Sequence, residues 1–164
     1  LCDAFSVPVL TIVNTSGFVP SATDDIAGGI REAARLAATY ADATTAKVAL
    51  LSGKAVGPVY TALAAADLRI AVAGCVVSAL EPSAAVSVLY KDEIFASDNI
   101  VAATKAKAAA YTKDVCSAQA AVANGAADTV ADAASARSAV AQALDMLASK
   151  RAVRLAKKHG NITL

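Results

Sequence analysis

Short apolar runs alternate along this chain with longer stretches whose apolar residues recur at helical spacing. Val7 to Val13 (VPVLTIV) is rich in Val and Ile and reads as a buried strand. Asn14 to Ser21 (NTSGFVPS) carries Gly17 and Pro20 and reads as a loop. Thr23 or Asp24 is placed to cap the helix that follows, and Asp24 and Asp25 favour its positive end. That helix is expected to reach about Tyr40, with Ile30, Ala33, Ala34, Ala37 and Ala38 near one face. Gly28 and Gly29 weaken its first turn and would let a ligand or backbone approach. Lys47 to Ser52 (KVALLS) is the second strand, stopped by Gly53.

Gly57 then supplies a turn, Pro58 suits the first helical position, and the helix is expected to end near Asp67. Leu68 to Ala73 and Cys75 to Leu80 read as two strands around Gly74, and Pro82 opens a helix reaching Tyr90. Beyond Ala96 the pattern is helical over Asp98–Val115, Ser117–Asn124 and Ser135–Lys150, interrupted by a short strand at Asp128–Val130. Strands alternating with helices predict an α/β fold with a mostly parallel sheet, and a helical C-terminal third that must cover this sheet or a partner's. Leu1 and Phe5, spaced i, i+4, read as the last turn of a helix, so the chain is expected to begin inside a longer protein.

Composition changes this picture in one respect. Hydrophobic residues make up 57% of the 164 positions, but aromatic residues only 4%, and Trp is absent. Much of the apolar fraction is alanine, which buries little area per side chain, so a large oligomeric or interdomain interface is expected. With a net charge of +1, no strong field draws a polyanion to the fold as a whole. Lys150, Arg151, Arg154, Lys157 and Lys158 form a basic tail that reads as solvated; no aromatic side chains are interleaved there to stack bases, which argues against nucleic-acid binding. Cys2, Cys75 and Cys116 show no paired spacing and suit reduced thiols in a cytoplasmic protein. No apolar run approaches the ~18 residues of a membrane span.

Side chains with conventional catalytic chemistry are scarce. His159 is the only histidine, so a Ser-His-Asp or Cys-His system lacks a base. No spacing suggests zinc or a hard cation, so no metal is expected, and there is neither a Walker loop nor a dinucleotide fingerprint. Backbone chemistry remains. A strand followed by a Gly57-Pro58 turn into a helix aims backbone N–H groups outward, where they can stabilise an oxyanion. The same turn also serves as a purely structural device at a helix start, and the residues alone leave both readings open.

Four segments, in order, resemble the C-terminal lobe of biotin-dependent acyl-CoA carboxyltransferases. That family includes propionyl-CoA carboxylase β-subunits and methylmalonyl- and glutaconyl-CoA decarboxylase α-subunits. LCDAFSVPVLTIVNTSGFVPS resembles the family's strand and Pro-Gly-Phe loop, and YADATTAKVALLSGKAVGPVY its Arg-Lys-Ala-Tyr-Gly-Gly-Ala-Tyr segment. SALEPSAAVSVLYKDEI resembles its Met-Gly-Pro-Glu-Gly-Ala-Val stretch with Lys-Asp-Glu-Ile, and ALDMLASKRAVRLAKKHGNITL its closing Lys-Lys-His-Gly-Asn-Ile-Pro-Leu. The resemblance implies a Clp protease/crotonase-like fold built of ββα units, with residues 1–164 forming a C-terminal carboxyltransferase domain and the N-terminal lobe absent.

It also implies a function: moving a carboxyl group between biotin on a carrier protein and a short acyl-CoA, with the coenzyme A thioester held mainly by the N-terminal lobe of a neighbouring subunit. Hydrogen bonds to the ureido oxygen would stabilise negative charge while N1 of biotin acts as nucleophile or leaving group. Gly57, Pro58 and Val59 fall on the family's oxyanion motif, and Gly17, Phe18 and Tyr60 on the biotin side. Implied partners are the biotin carboxyl carrier protein, the N-terminal lobe and further copies in a homo-oligomer; a membrane enters only indirectly, through a sodium-pumping decarboxylase. Arg31 and Arg35 fall where the family places basic helix residues, and read equally as an exposed helix face. The departures are Ser16 for Pro, Ser83-Ala84 for Glu-Gly, and Pro58, which has no N–H, for Gly. Pro58 raises the alternative of a catalytically weakened assembly subunit. A crotonase-type hydratase or isomerase would need a carboxylate beside a CoA site, for which Glu81, near a helix start, is the candidate.

Overall fold

The computed structural model describes residues 1–18 and 21–152. Pro20, Arg154, Lys157, Lys158 and His159 lie outside the described residues. Five strands form one sheet: β1 (Val9–Thr15), β2 (Lys47–Val56), β3 (Leu68–Val72), β4 (Val76–Ser78) and β5 (Thr129–Ala131). Along it the order is β1-β2-β3-β5, with β4 also on β2, and every pairing is parallel. The sheet predicted from alternating strands and helices is therefore present. Parallel neighbours need crossovers, and helices supply them.

Eight helices are described: α1 (Ala22–Ile26), α2 (Gly29–Asp42), α3 (Gly57–Leu63), α4 (Pro82–Leu89), α5 (Lys91–Phe95), α6 (Ile100–Asp114), α7 (Ala118–Ala123) and α8 (Ala136–Leu147). One face of the sheet carries a core of Val13, Ala49, Leu51, Ala71 and Val77, joined by Tyr60 in the middle of α3, by Ala64 at its C-cap and by Ala118 and Ala121 of α7. Val48 and Ile70 on the opposite face pack with Val140 and Ala143 of α8. The two faces explain why β2 reads as a continuous apolar run: Val48, Ala49 and Leu51 are all buried.

Three sequence expectations need correction. The helix expected from Thr23 to Tyr40 is two helices, because Gly28 adopts a left-handed conformation (φ 84°) and caps α2. Ser21, rather than Thr23 or Asp24, caps α1, its hydroxyl accepting from Asp24 N at 3.0 Å. Ile30, Ala33, Ala34 and Ala37 do share one face of α2 and line a common hollow, although Ile30 itself is 63% exposed. Gly53 does not stop β2, which continues to Val56 through a bulge. The remaining boundaries shift less, though α3 already ends at Leu63.

Leu1 to Phe5 is a single helical turn closed by a Schellman pattern. Val7 N–H bonds Cys2 O at 2.8 Å and Ser6 N–H bonds Asp3 O at 3.3 Å, with Ser6 at φ 55°. The Asp3 carboxylate ties that turn to the approach to β2, accepting from Thr44 N at 2.6 Å and Thr45 N at 2.9 Å.

Candidate active site

β2 changes partners along its length, and the site grows from that change. Val48 to Leu51 pair with β3, whereas Lys54 to Val56 pair with β4. On its other edge, Val13 pairs with Leu51, but the next partners are Thr15 and Ala55. β2 therefore carries extra residues opposite Asn14. The Asn14 side chain fills the gap, Oδ1 accepting from Lys54 N at 3.0 Å. A Cβ on Gly53 would stand 2.6 Å from that oxygen, so a side chain there would have to displace Asn14.

Past the bulge both strands end in glycine turns. Gly17 has φ 99° and its N–H bonds Thr15 Oγ1 at 3.2 Å; Gly57 has φ 73° and opens α3. A Cβ on Gly17 would lie 3.4 Å from Val56 O, and one on Gly57 would lie 3.8 Å from Ala79 O and 3.9 Å from Gly17 Cα. The two turns predicted from sequence are thus brought together, with the Ala79 carbonyl as a third party that the sequence reading missed.

The first amides of a helix have no intrahelical acceptor. In α3 these belong to Gly57 and Val59, since Pro58 contributes none. A cavity of about 400 Å³ opens there, lined by Gly57, Pro58, Thr61, Val77, Ala79 and Ala126 among others. On the other side of Pro58, Phe18 and Ile30 line a smaller apolar hollow with Ala33 and Ala37 of α2. The Phe18 ring lies 3.6 Å from where a Gly29 Cβ would stand, so the close approach expected at the glycine pair is made by this ring.

Tyr60 plays a different part from its neighbours. Its ring belongs to the core and its hydroxyl sits 3.4 Å from Ala126 O. Burial pushes the phenol up against the opposing pull of Arg69, so it stays protonated at neutral pH and is no base. Arg35 pairs with Glu32 at 3.0 Å on an exposed helix face, and Arg31 is exposed as well. Glu81 pairs with Lys54 at 3.1 Å, joining the loop after β4 to the end of β2. Among the described residues no group of three His, Cys, Asp or Glu side chains is arranged to hold a metal, and no helix is long and apolar enough to cross a membrane.

The ββα arrangement of β3, β4 and α4, on an all-parallel sheet whose glycine turns meet at a helix start, defines a Clp protease/crotonase-like domain. The chain belongs to the carboxyl transferase domain family, whose model matches residues 1–162. It is 35% identical to the methylmalonyl-CoA decarboxylase α-subunit of Propionigenium modestum, over 99% of this chain and 32% of that protein. It is 34% identical to the methylmalonyl-CoA carboxyltransferase 12S subunit of Propionibacterium freudenreichii subsp. shermanii, over 98% of this chain and 31% of that one. A crystal structure of the transcarboxylase 12S hexamer with methylmalonyl-CoA bound superposes with a TM-score of 0.90 at 33% identity, covering 99% of this chain and 32% of the other. The chain thus spans about a third of the length of these relatives.

Proposed function

We propose that this chain forms the biotin-facing half of an acyl-CoA carboxyltransferase or decarboxylase, and that the paired turns at Gly17 and Gly57 are its catalytic centre. The observation that carries this reading is the close approach of the Gly17 turn and Ala79 O to Gly57, at the helix start where Gly57, Pro58 and Ala79 line a cavity. A ureido group presents one carbonyl acceptor and N–H donors. The complement proposed for it is the Gly57 N–H and Ala79 O beside the cavity, with the Val59 N–H from the same helical turn, and glycine at position 57 keeps that helix start free of a side chain.

Biotin, when bound on its carrier protein, supplies a nitrogen that carries the carboxyl group and a ureido oxygen on which negative charge gathers. The Gly57 and Val59 amides hold that oxygen, and being fixed by the helix they need no reorganisation as charge develops. Phe18 and Pro58 wall the site with apolar surface and exclude water. Tyr60 anchors α3 to the core, so the amides keep their aim. No side chain of the site needs to exchange a proton. The acyl-CoA is held by an N-terminal lobe, the carrier protein docks on the Phe18 side, and the assembly is a cytoplasmic homo-oligomer.

A second reading rests on Pro58. One donor fewer in an oxyanion hole costs about 10²–10³ in rate, so the chain also suits a weakened subunit kept for assembly. The full-length protein, joined to its CoA-binding lobe, is assayed for carboxyl exchange between methylmalonyl-CoA and free biotin. Turnover that disappears on removing biotin supports the enzymatic reading. A folded, assembled protein without exchange refutes it and favours the assembly role.

A further inference from the structure

We infer that Asn14 is a positioning residue for carboxyl transfer: by substituting for backbone in the β1–β2 bulge it sets the distance between the Gly17 and Gly57 turns. This inference rests on the proposed function for its kinetic part, and on geometry alone for its structural part.

A parallel ladder fixes two strands by backbone bonds at regular spacing. Between Leu51 and Ala55 that spacing fails, because β1 advances from Val13 to Thr15 while β2 advances further. Two side chains take over. Within the irregularity Ser52 Oγ–H bonds Val13 O at 3.2 Å, and two residues on Asn14 Oδ1 accepts from Lys54 N at 3.0 Å. The Asn14 contact is thus a direct tie between the two strands just before they turn. Thr15 carries the β1 side onward by accepting from Gly17 N. Ala55 and Val56 carry the β2 side to Gly57. The space available for Gly53 sets the tolerance, since Asn14 Oδ1 and Cγ would stand 2.6 and 2.9 Å from an added Cβ.

Asn14 is exposed, so its bond contributes little to overall stability, whereas geometry at the turns is sensitive to it. A misplacement of about 1 Å in a reacting group can cost ~10²-fold in rate. Asn14→Ala removes the acceptor. Asn14→Asp keeps an oxygen of the same reach. Gly53→Ala pushes the same contact apart from the other side.

The test uses the full-length protein with its CoA-binding lobe. Asn14→Ala and Gly53→Ala are expected to lower kcat for exchange between methylmalonyl-CoA and free biotin by about 10-fold to 10²-fold, with KM for methylmalonyl-CoA and melting temperature nearly unchanged. Asn14→Asp is expected to restore kcat to within a few-fold. Amide NMR of the same variants gives a readout independent of turnover: the Lys54, Gly57 and Val59 resonances move in Asn14→Ala and return in Asn14→Asp. Normal kcat in both Asn14→Ala and Gly53→Ala overturns the inference, and so does a kcat loss that Asn14→Asp fails to rescue. If the unsubstituted protein shows no exchange, the proposed function falls, and unmoved Gly57 and Val59 resonances in Asn14→Ala then overturn the structural part as well.

Discussion

Gly17 and Gly57 face each other so closely that a methyl group added to Gly57 would sit 3.9 Å from Gly17 Cα. Both have positive φ, 99° and 73°. Neither contact is a clash, so the demand for glycine at Gly57 comes from its backbone conformation more than from crowding.

Gly57→Ala should therefore cost about 1–2 kcal/mol of stability, the penalty of a left-handed conformation. If the backbone instead relaxes to negative φ, the Val59 amide turns away from the cavity and carboxyl exchange falls by about 10²-fold. Chemical denaturation alongside kinetics on the full-length protein checks both. A variant with unaltered stability and turnover would show that the turn is not held in this conformation.

Pro58→Gly adds an N–H to the first turn of α3. A further donor on the developing charge, beside the Gly57 and Val59 amides, should raise kcat by about tenfold or more, at least ~1.4 kcal/mol of transition-state stabilisation. The loosened helix start costs ~0.5–1 kcal/mol of stability, which lowers yield more than turnover per folded site. Equal kcat in the two proteins, normalised to folded material, would remove the Pro58 backbone from the mechanism.

Asp67 predicts part of the acid response. Burial raises its carboxyl, but bonds from Lys150 Nζ and Lys47 N outweigh this and hold it below the usual range. A depressed folded value means that this stabilisation is complete above the unfolded value of about 3.9 and is lost as pH falls through the lower folded one. Asp67→Asn should lower the melting temperature at pH 7 and flatten its decline below about pH 4. An unchanged acid limb would mean that other carboxylates govern it.

Self-association should run through the helical flank. Val88 on α4, Phe95 on α5 and Val101 on α6 are 73%, 65% and 79% exposed, and exposed apolar patches seek partners. Val101 lies in the first turn of α6, where Asp suits the helix, so Val101→Asp tests the surface without melting the element. Sedimentation of this chain should show oligomers at high micromolar concentration, weakened in the variant. A strict monomer before substitution would contradict the prediction.

The strands, the Gly57 turn and the helices of the C-terminal third were legible because each follows from a local pattern. Pro58 at a helix start and Gly74 between two strands speak for themselves in sequence. The bulge did not, because Gly53 inside an apolar run reads as a stop, while its actual role depends on Asn14, a residue from another strand. The break at Gly28 was hidden by good helical spacing on both sides of it. At the site, the glycine turns came from sequence and the family resemblance, whereas Ala79 offers only a backbone carbonyl and leaves no side-chain signal.

The order in which the sheet is made has a cost during synthesis. β1 emerges first, yet its parallel partner follows only after α1 and α2. Parallel pairing must close that loop before any ladder bond repays the entropy, which makes such sheets slow to form. Leu10 and Ile12 remain 43% and 62% exposed even in the finished domain, on a strand whose other edge has no neighbour among the described residues. A nascent chain paused before Lys47 therefore displays an apolar, unpaired strand, the kind of surface that recruits chaperones or sister chains. Slowing translation within α2 should lower the soluble yield of this protein more than slowing it within α8.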